Sequence, residues 1–208
     1  MQKYLFIFLV CIGFSGAAYA QRIPLKMNHE NFFRFGAKAG VNVNRINGQS
    51  YTSGFHYNYQ LGGFLQFNIT KRLGIQPEVN LVQSAASFSK DPNDIYEDIF
   101  YAGSQRKGKL NYLEIPLLLN INIGPSKRIK LQVGPSFGSL LKETLDSLQY
   151  PGNVYKKAEW SAIGGLWIQL PLVHIGARYK LGFTNINAID DLQKWKSEAI
   201  QVFAGITF

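Results

Sequence analysis

The sequence predicts an all-β fold, an eight-stranded antiparallel transmembrane β-barrel whose strands follow one another as an up-and-down meander. Apolar and polar residues alternate with period two in one run after another, which is the pattern of strands with two different faces. The connections between these runs alternate between short and long. The 15 Phe, 11 Tyr, 3 Trp and 20 Gly among 208 residues also favour strands over helices.

The first twenty residues have the pattern of a secretory signal peptide and are not expected to belong to the fold. Lys3 supplies a positive charge ahead of an apolar run over residues 5–14. Residues 15–20 (SGAAYA) end in an A-x-A pattern, so we expect cleavage after Ala20. The apolar run of about ten residues is too short to span a membrane as a helix. The sequence therefore predicts an exported protein.

The mature chain is predicted to comprise a periplasmic segment, residues 21–33, and a barrel domain, residues 34–208. The one cysteine, Cys11, lies in the signal peptide, so no disulfide or thiol chemistry is expected after cleavage. Without Lys3 the chain has 21 basic and 13 acidic residues, a formal charge of about +8. In an exported protein this charge favours an anionic membrane surface as partner. Nucleic acid is not expected, because no aromatic stacking platform accompanies the charge.

Eight runs are predicted strands because each places most of its apolar residues on one face. In the first of them, apolar residues occupy the odd positions from Phe35 to Val43, and Gly, Lys and Asn occupy the even positions. The phase of the sixth run stays open, because Trp160, Leu166 and Ile168 compete with Ile163 and Trp167 for the apolar face. The predicted strands are Arg34–Asn44, Tyr57–Ile69, Leu73–Ser84, Leu110–Ile123, Ile129–Leu140, Ala158–Leu170, Leu172–Gly182 and Ile200–Phe208.

The connections predict where the barrel lies. Short turns at one end and long polar loops at the other are typical of outer-membrane barrels, whose short turns face the periplasm. We therefore expect the protein in the cell outer membrane. The predicted short turns are Thr70–Arg72, Gly124–Arg128 and the Leu170–Pro171 corner, and the predicted long loops are Arg45–His56, Ser89–Gly108, Lys142–Tyr155 and Thr184–Ala199.

The alternative fold is a soluble periplasmic barrel with an apolar interior and a polar exterior. Periodicity alone does not say which face is outside. The loop asymmetry and the aromatic residues at strand ends, which suit an interfacial girdle, favour lipid outside and polar residues inside. Osmotic shock would release a soluble barrel, whereas an integral barrel would stay with membranes through carbonate washing.

The segment NYLEIPLLLN, Asn111–Asn120, places a glutamate in an otherwise apolar strand. If its leucines face lipid, Glu114 faces the lumen, which in an eight-stranded barrel is just wide enough to be filled by side chains. We predict that Glu78 and Glu114 contact Arg178, and that Lys38 or Lys130 completes this charge network. The network is expected to be a plug that sets strand register; an ion or proton path is the alternative. By the same phase the lumen also receives Lys180 and His174.

Two prolines fall within predicted strands. Pro77 precedes Glu78, and Pro116 follows Glu114 by two residues. Proline cannot donate to a strand ladder and is often found at bulges. We therefore predict that both prolines mark β-bulges that curve the sheet.

Four segments occur in an order that is specific to one family: FRFGAKAGVNVN, LGGFLQFNITKRLGIQPEVNLVQS, NYLEIPLLLN and GARYKLGFTNIN. They resemble the small outer-membrane β-barrel family described as PorT-like, over Arg34–Phe208. The resemblance implies an outer-membrane location, a plugged barrel and no catalytic residues. The family's namesake is linked to protein secretion and gliding machinery, so the resemblance also implies envelope or secretion-complex proteins as partners.

No residue pattern points to catalysis, a cofactor or a bound metal. The three histidines, His29, His56 and His174, are too far apart for a metal-ligand spacing. The acidic stretch from Asp91 to Asp98 lacks the central glycine of a calcium loop. The sequence therefore predicts a non-enzymatic structural or partner-binding component of the envelope. The alternative is a small porin-like channel or solute- or lipid-binding barrel; an outer-membrane enzyme is less favoured.

Two further partners are expected. The closing strand, IQVFAGITF, ends on Phe208 and resembles the signal that the outer-membrane assembly machinery reads. Basic residues in the loops are expected to lie at the level of outer-membrane lipid and lipopolysaccharide phosphates, where anionic head groups attract Lys and Arg. These loop residues are Arg106, Lys107, Lys109, Lys156, Lys157, Lys194 and Lys196.

Overall fold

The runs with period-two alternation form eight antiparallel strands that close into one barrel, with each strand paired to the next and β8 paired to β1. The computed structural model describes residues 31–52, 54–89, 94–95, 107–124, 126, 128–145 and 152–208. The strands are β1 (Phe33–Asn47), β2 (His56–Asn68), β3 (Leu73–Ser87), β4 (Lys107–Ile123), β5 (Ile129–Leu145), β6 (Ala158–Gln169), β7 (Val173–Gly182) and β8 (Lys196–Thr207). The predicted fold class is confirmed. The predicted signal peptide, His29 and most of the acidic loop lie outside the described residues.

The connections divide the barrel into two ends. The short-turn end carries the connections 69–72, 124–128 and 170–172, and the long-loop end carries 48–55, 88–106, 146–157 and 183–195. Gly124 has a φ of 77°, a left-handed conformation that favours glycine, in one of the short turns. Several strands continue beyond the apolar alternation at the long-loop end, as where Lys109 pairs with Thr144. Backbone pairing does not require apolar side chains, so the strand ends predicted from hydropathy alone fall short of the observed ends.

The two faces of the wall differ in polarity. On β4, Ile115, Leu117 and Leu119 point outward and are 45%, 52% and 38% exposed, whereas Glu114 and Asn120 are each 1% exposed and point inward. Most of the other strands divide in the same way, so the exterior is apolar and the interior contains most of the buried polar and charged side chains. This is the reverse of a soluble barrel. Among the described residues, no helix is long and apolar enough to cross a membrane.

The pairing partners of β6 settle its phase. Trp167 is fully buried in the lumen, whereas Trp160 and Leu166 are half-exposed on the exterior. Trp167 pairs with Lys130 on β5 and with Gly176 on β7, two strands whose phase was unambiguous in the sequence. Since directly paired residues point to the same face, the neighbours decide which apolar set of β6 enters the lumen.

The prediction that Pro77 and Pro116 mark bulges was wrong. Pairing lapses beside each proline, but the residue pairs on both sides keep one register. Proline only removes a hydrogen-bond donor, and this does not require an extra residue in the strand. The register shift on β4 lies between Asn111 and Tyr112, toward the long-loop end.

Candidate functional site

The middle of the lumen contains a buried ion cluster centred on Glu78. Arg178 Nη1 and Nη2 donate to the two carboxylate oxygens of Glu78 at 2.8 Å each, and Lys38 Nζ donates to Oε2 at 2.5 Å. Gln76 and Asn80, the neighbouring inward positions on β3, donate to the same carboxylate at 2.7 and 3.2 Å. The paired Arg–carboxylate geometry is the strong, directional form of ion pair. One carboxylate on β3 therefore links β1 and β7 across the barrel.

A closed ring of hydrogen bonds extends this cluster to two more strands. Arg178 Nε donates to Gln132 Oε1 at 2.9 Å, and Gln132 Nε2 donates to Asn120 Oδ1 at 2.7 Å. Asn120 Nδ2 donates to Gln76 Oε1 at 2.7 Å, and Gln76 returns to Glu78. The ring satisfies amides and charges that would each be costly to bury alone.

A second ion cluster lies one step nearer the long-loop end. Lys180 Nζ donates to Glu114 and, at 3.2 Å, to Glu159 Oε2. Gln201 Nε2 donates to Glu114 Oε2 at 3.2 Å, and Ser197 Oγ donates to Glu159. A void of about 10 Å³ adjoins these groups, which is room for about one water molecule.

The residues of the predicted network lie in the lumen, but they form two clusters. Glu78, Arg178 and Lys38 are together; Glu114 contacts Lys180 where Arg178 was predicted. Register explains the difference. Glu114 lies opposite Asn80, two residues beyond Glu78, and Lys180 likewise follows Arg178 by two residues on β7. Lys130 is also fully buried on β5, opposite Trp167.

Glu159 is the charged member of the second cluster that the sequence pattern did not predict. It lies on β6, whose phase was open, and its parity is that of Ile163 and Trp167. A decision for the lumen at Trp167 would have placed Glu159 there as well. Glu114 and Glu159 therefore share Lys180. The predicted network contained no lysine shared by these two carboxylates.

Aromatic side chains fill the lumen at the short-turn end. The ring of His174 stacks on Trp167 with centroids 3.9 Å apart, and Phe64 meets both rings edge-on at 5.2 and 5.1 Å. Phe203 completes the group and lies 4.6 Å from the Arg178 guanidinium carbon. His174 Nδ1 is 2.9 Å from Thr207 Oγ1, so the histidine is a hydrogen-bonded interior residue as expected.

A second aromatic group closes the long-loop end. Tyr51 packs against Phe88 and Trp195 with centroids 4.6 and 5.1 Å apart, and Tyr51 Oη donates to Tyr155 Oη at 3.0 Å. These rings are buried together with Val154 and other apolar side chains. Burial raises the pKa of the Tyr155 phenol, so the hydroxyl is neutral at physiological pH. Loop residues thus fold over the barrel mouth and make an apolar cap.

Among the described residues, the lumen is therefore filled along its length. An aromatic group lies at the short-turn end, two ion clusters lie in the middle, and the cap lies at the long-loop end. The described part of the chain shows no group of three or more His, Cys, Asp or Glu that could hold a metal ion. The described side chains of the lumen can bear charge and link strands across the barrel.

Exterior aromatic residues form two bands. At the long-loop end Tyr57, Tyr59, Trp160, Tyr179 and Phe183 are exposed on the outer face. At the short-turn end the exposed rings are those of Phe32, Phe33, Phe35 and Phe208. Aliphatic residues occupy the wall between them. Such bands mark the two interfaces of a membrane around a barrel.

Residues 19–188 match the family model described as outer membrane protein beta-barrel domain. The chain belongs to this family. As an outer-membrane barrel, it has the location that its apolar exterior and loop asymmetry predicted. No curated protein sequence matches the chain.

Solved structures share the fold of this outer-membrane barrel. The attachment invasion locus protein Ail of Yersinia pestis, in complex with the heparin analogue sucrose octasulfate, is similar at 13% identity with a TM-score of 0.50, covering 86% of this chain and 100% of Ail. Neisserial surface protein A is similar at 13% identity with a TM-score of 0.50, covering 86% of this chain and 98% of that protein. At such low identity these likenesses show the fold alone.

Phe208 closes the seam between β8 and β1. Its backbone exchanges hydrogen bonds with that of Phe35 at 2.8 and 3.2 Å, and the two rings lie 5.6 Å apart. The ring of Phe208 is 61% exposed, so it is available to another protein before the barrel is embedded. This geometry is compatible with the predicted assembly signal and also with a closing strand alone.

Deleting Phe208 is expected to lower the amount of folded barrel in the outer membrane, because the seam loses two backbone hydrogen bonds and a ring contact. The measurement is the heat-modifiable band of an outer-membrane fraction on a gel. Phe208→Ala keeps the backbone bonds and serves as the matched variant. If Phe208→Ala refolds normally from urea but accumulates poorly in cells, the ring is read during assembly. Unchanged levels of both variants would exclude an assembly signal at Phe208.

Proposed function

We propose that the protein is a non-enzymatic component of the outer membrane that acts through the surfaces at the ends of its barrel, as a structural or partner-binding element of the envelope. The observation that supports this proposal is that buried side chains fill the described part of the lumen. Arg178, Glu78 and Lys38 cross its centre, and the cap around Tyr51 and Trp195 covers its outer mouth. A barrel closed in this way has only its wall, loops and turns with which to act.

The resemblance to PorT-like barrels supports a partner in a secretion or envelope complex. The described outer surface offers groups for protein contact, since Leu192 is 77% exposed and Ile95 is 56% exposed at the long-loop end. Single exposed apolar residues are common on protein surfaces, so these two positions serve as sites for mutagenesis and do not by themselves mark an interface. The loops are therefore the first surface to test.

The closed lumen predicts that the purified protein conducts no ions in planar bilayers. The measurement is single-channel recording at both voltage polarities, with an open porin as positive control. Glu114→Gln and Arg178→Gln are expected to leave the trace flat, because the aromatic groups at both ends remain in place. Discrete conductance steps whose size changes in these variants would favour the channel alternative.

Affinity purification from outer membranes in mild detergent tests the partner. Stoichiometric envelope or secretion proteins that are absent from an untagged strain would support the proposal. An Ile95→Ser variant that loses them would assign the contact to the long-loop end, because Ile95 is exposed there and does not line the cleft described below. A barrel that purifies alone, also after chemical crosslinking in cells, would contradict a partner-binding role.

A further inference from the structure

A cleft of about 460 Å³ opens on the outer side of the wall at the long-loop end. Residues at the long-loop ends of three strands form its floor: Asn47 of β1, Leu181 of β7, and Lys196 and Glu198 of β8. Leu192 and Lys194, from the segment between β7 and β8, form its rim. Neither ion cluster of the lumen lines this cleft, so a ligand of the cleft would not depend on the charges inside the barrel.

The cleft lies just beyond the lipid-covered part of the wall. Leu181 points outward and pairs with Glu198, and Lys196 pairs with Asn47 one step farther out. Two residues closer to the membrane, the exposed ring of Tyr179 belongs to the outer aromatic band. Groups directly beyond an aromatic band are level with lipid head groups. The cleft therefore faces the head groups of the outer leaflet.

The charge of the cleft is positive. Lys194 and Lys196 are both exposed, and neither ammonium has an ion-pair partner among the described residues. The one carboxylate of the lining, Glu198, already accepts two hydrogen bonds from Arg45, at 2.9 and 2.7 Å, and one from Asn47 at 2.6 Å. With Arg45 included, three cations surround one compensated carboxylate, a net charge of +2. An anion can approach the two lysines without meeting a free carboxylate.

We propose that this cleft binds a phosphorylated glycolipid of the outer leaflet. Lys194 and Lys196 hold a phosphate group, and Leu181 and Leu192 contact the first carbons of an acyl chain. The apolar half of the lining favours a lipid over free phosphate, because a phosphate ion alone leaves both leucines without a partner. This inference goes beyond the proposed function and does not depend on a closed lumen.

The test compares two double variants that remove the same charge. Lys194→Gln with Lys196→Gln alters the cleft, whereas Lys156→Gln with Lys157→Gln alters a loop that does not line it. Each protein is reconstituted in phosphatidylcholine nanodiscs containing diphosphoryl lipid A, and bound lipid A is counted by native mass spectrometry. The cleft variant is expected to bind about 25-fold more weakly, since each of the two basic groups contributes about a fivefold gain. The loop variant is expected to stay within about twofold of the parent protein, because Lys156 and Lys157 do not line the cleft.

Three results would overturn the proposal: equal losses in both double variants, which indicate general attraction to the basic surface; equal binding of dephosphorylated lipid A; and displacement of the lipid by inorganic phosphate at the same concentration. A Leu192→Ser variant should weaken lipid A binding while both lysines remain. Heat-modifiable migration on a gel verifies that each variant is folded. If the protein conducts ions but binds lipid A as expected, the proposed function with a closed lumen is wrong and the lipid site is still supported.

Discussion

Replacing Glu78 with glutamine is expected to lower the free energy of unfolding by about 3–5 kcal/mol, because it leaves two buried cations without their carboxylate. Glu78 is fully buried and accepts hydrogen bonds from Arg178 and Lys38. The low dielectric of the interior makes an uncompensated charge much more costly there than at the surface. Breaking the cluster at its centre therefore has a larger effect than removing either partner.

The three members of the cluster should rank in a definite order. Glu78→Gln leaves two positive charges, Arg178→Gln leaves the neutral Lys38–Glu78 pair, and Lys38→Met leaves the neutral Arg178–Glu78 pair with both of its hydrogen bonds. Arg178→Gln should cost more than Lys38→Met, because it also removes the hydrogen bonds to Gln132. We therefore expect destabilisation to fall from Glu78→Gln through Arg178→Gln to Lys38→Met.

Urea titration of the barrel in lipid vesicles, followed by tryptophan fluorescence, measures this order. Glu198→Gln is the matched control, since Glu198 forms an ion pair with Arg45 on the outside of the wall, where the Arg45 and Glu198 side chains are 41% and 15% exposed. Exposed ion pairs contribute about 0–1 kcal/mol, so this partly exposed pair is expected to contribute less than the fully buried cluster. Equal losses for Glu78→Gln and Glu198→Gln would show that the lumen cluster is solvated and does not stabilise the barrel.

Adding a single methyl group at Gly165 is expected to destabilise the barrel by about 1–3 kcal/mol, the range for overpacked interiors. A Cβ at this position would lie 2.3 Å from the carbonyl oxygen of Ala177 and 2.7 Å from Cα and Cγ of Arg178. The absence of a side chain at Gly165 thus makes room for the arginine that pairs with Glu78. Part of this contact is backbone, which cannot move aside without altering the β6–β7 pairing.

The adjacent residue supplies the control. A Cβ at Gly164 would have no atom within 4 Å, and this residue is exposed on the outer face. Gly164→Ala is expected to be neutral or to stabilise by a few tenths of a kcal/mol, since alanine restricts the unfolded chain more than glycine does. The same urea titration compares the two variants. Equal destabilisation by Gly164→Ala and Gly165→Ala would show that the effect comes from the strand backbone and not from the contact with Arg178.

The alternation of residues along each strand is enough to assign most wall residues to the outer or the inner face. Each of the strands that carry Glu78, Glu114 and Arg178 has a second face that is mainly apolar, and a period of two then leaves the charged residue one direction to point. β6 is the exception, because apolar residues occupy both of its faces and its phase depends on β5 and β7. The prediction of bulges at Pro77 and Pro116 was wrong for a related reason. A proline removes a hydrogen-bond donor from one strand, whereas register is a property of two paired strands.

The sequence by itself determined the class of fold, the outer-membrane location and the residues that enter the lumen from every strand but β6, because alternation and loop lengths are local properties of the chain. Only the tertiary structure decided which charges meet. Contact across a closed barrel depends on the summed register of every strand between the partners, so a step of two residues moves Glu114 from Arg178 to Lys180. The cap around Tyr51 and Trp195 likewise joins loops more than a hundred residues apart, and no local pattern encodes that meeting.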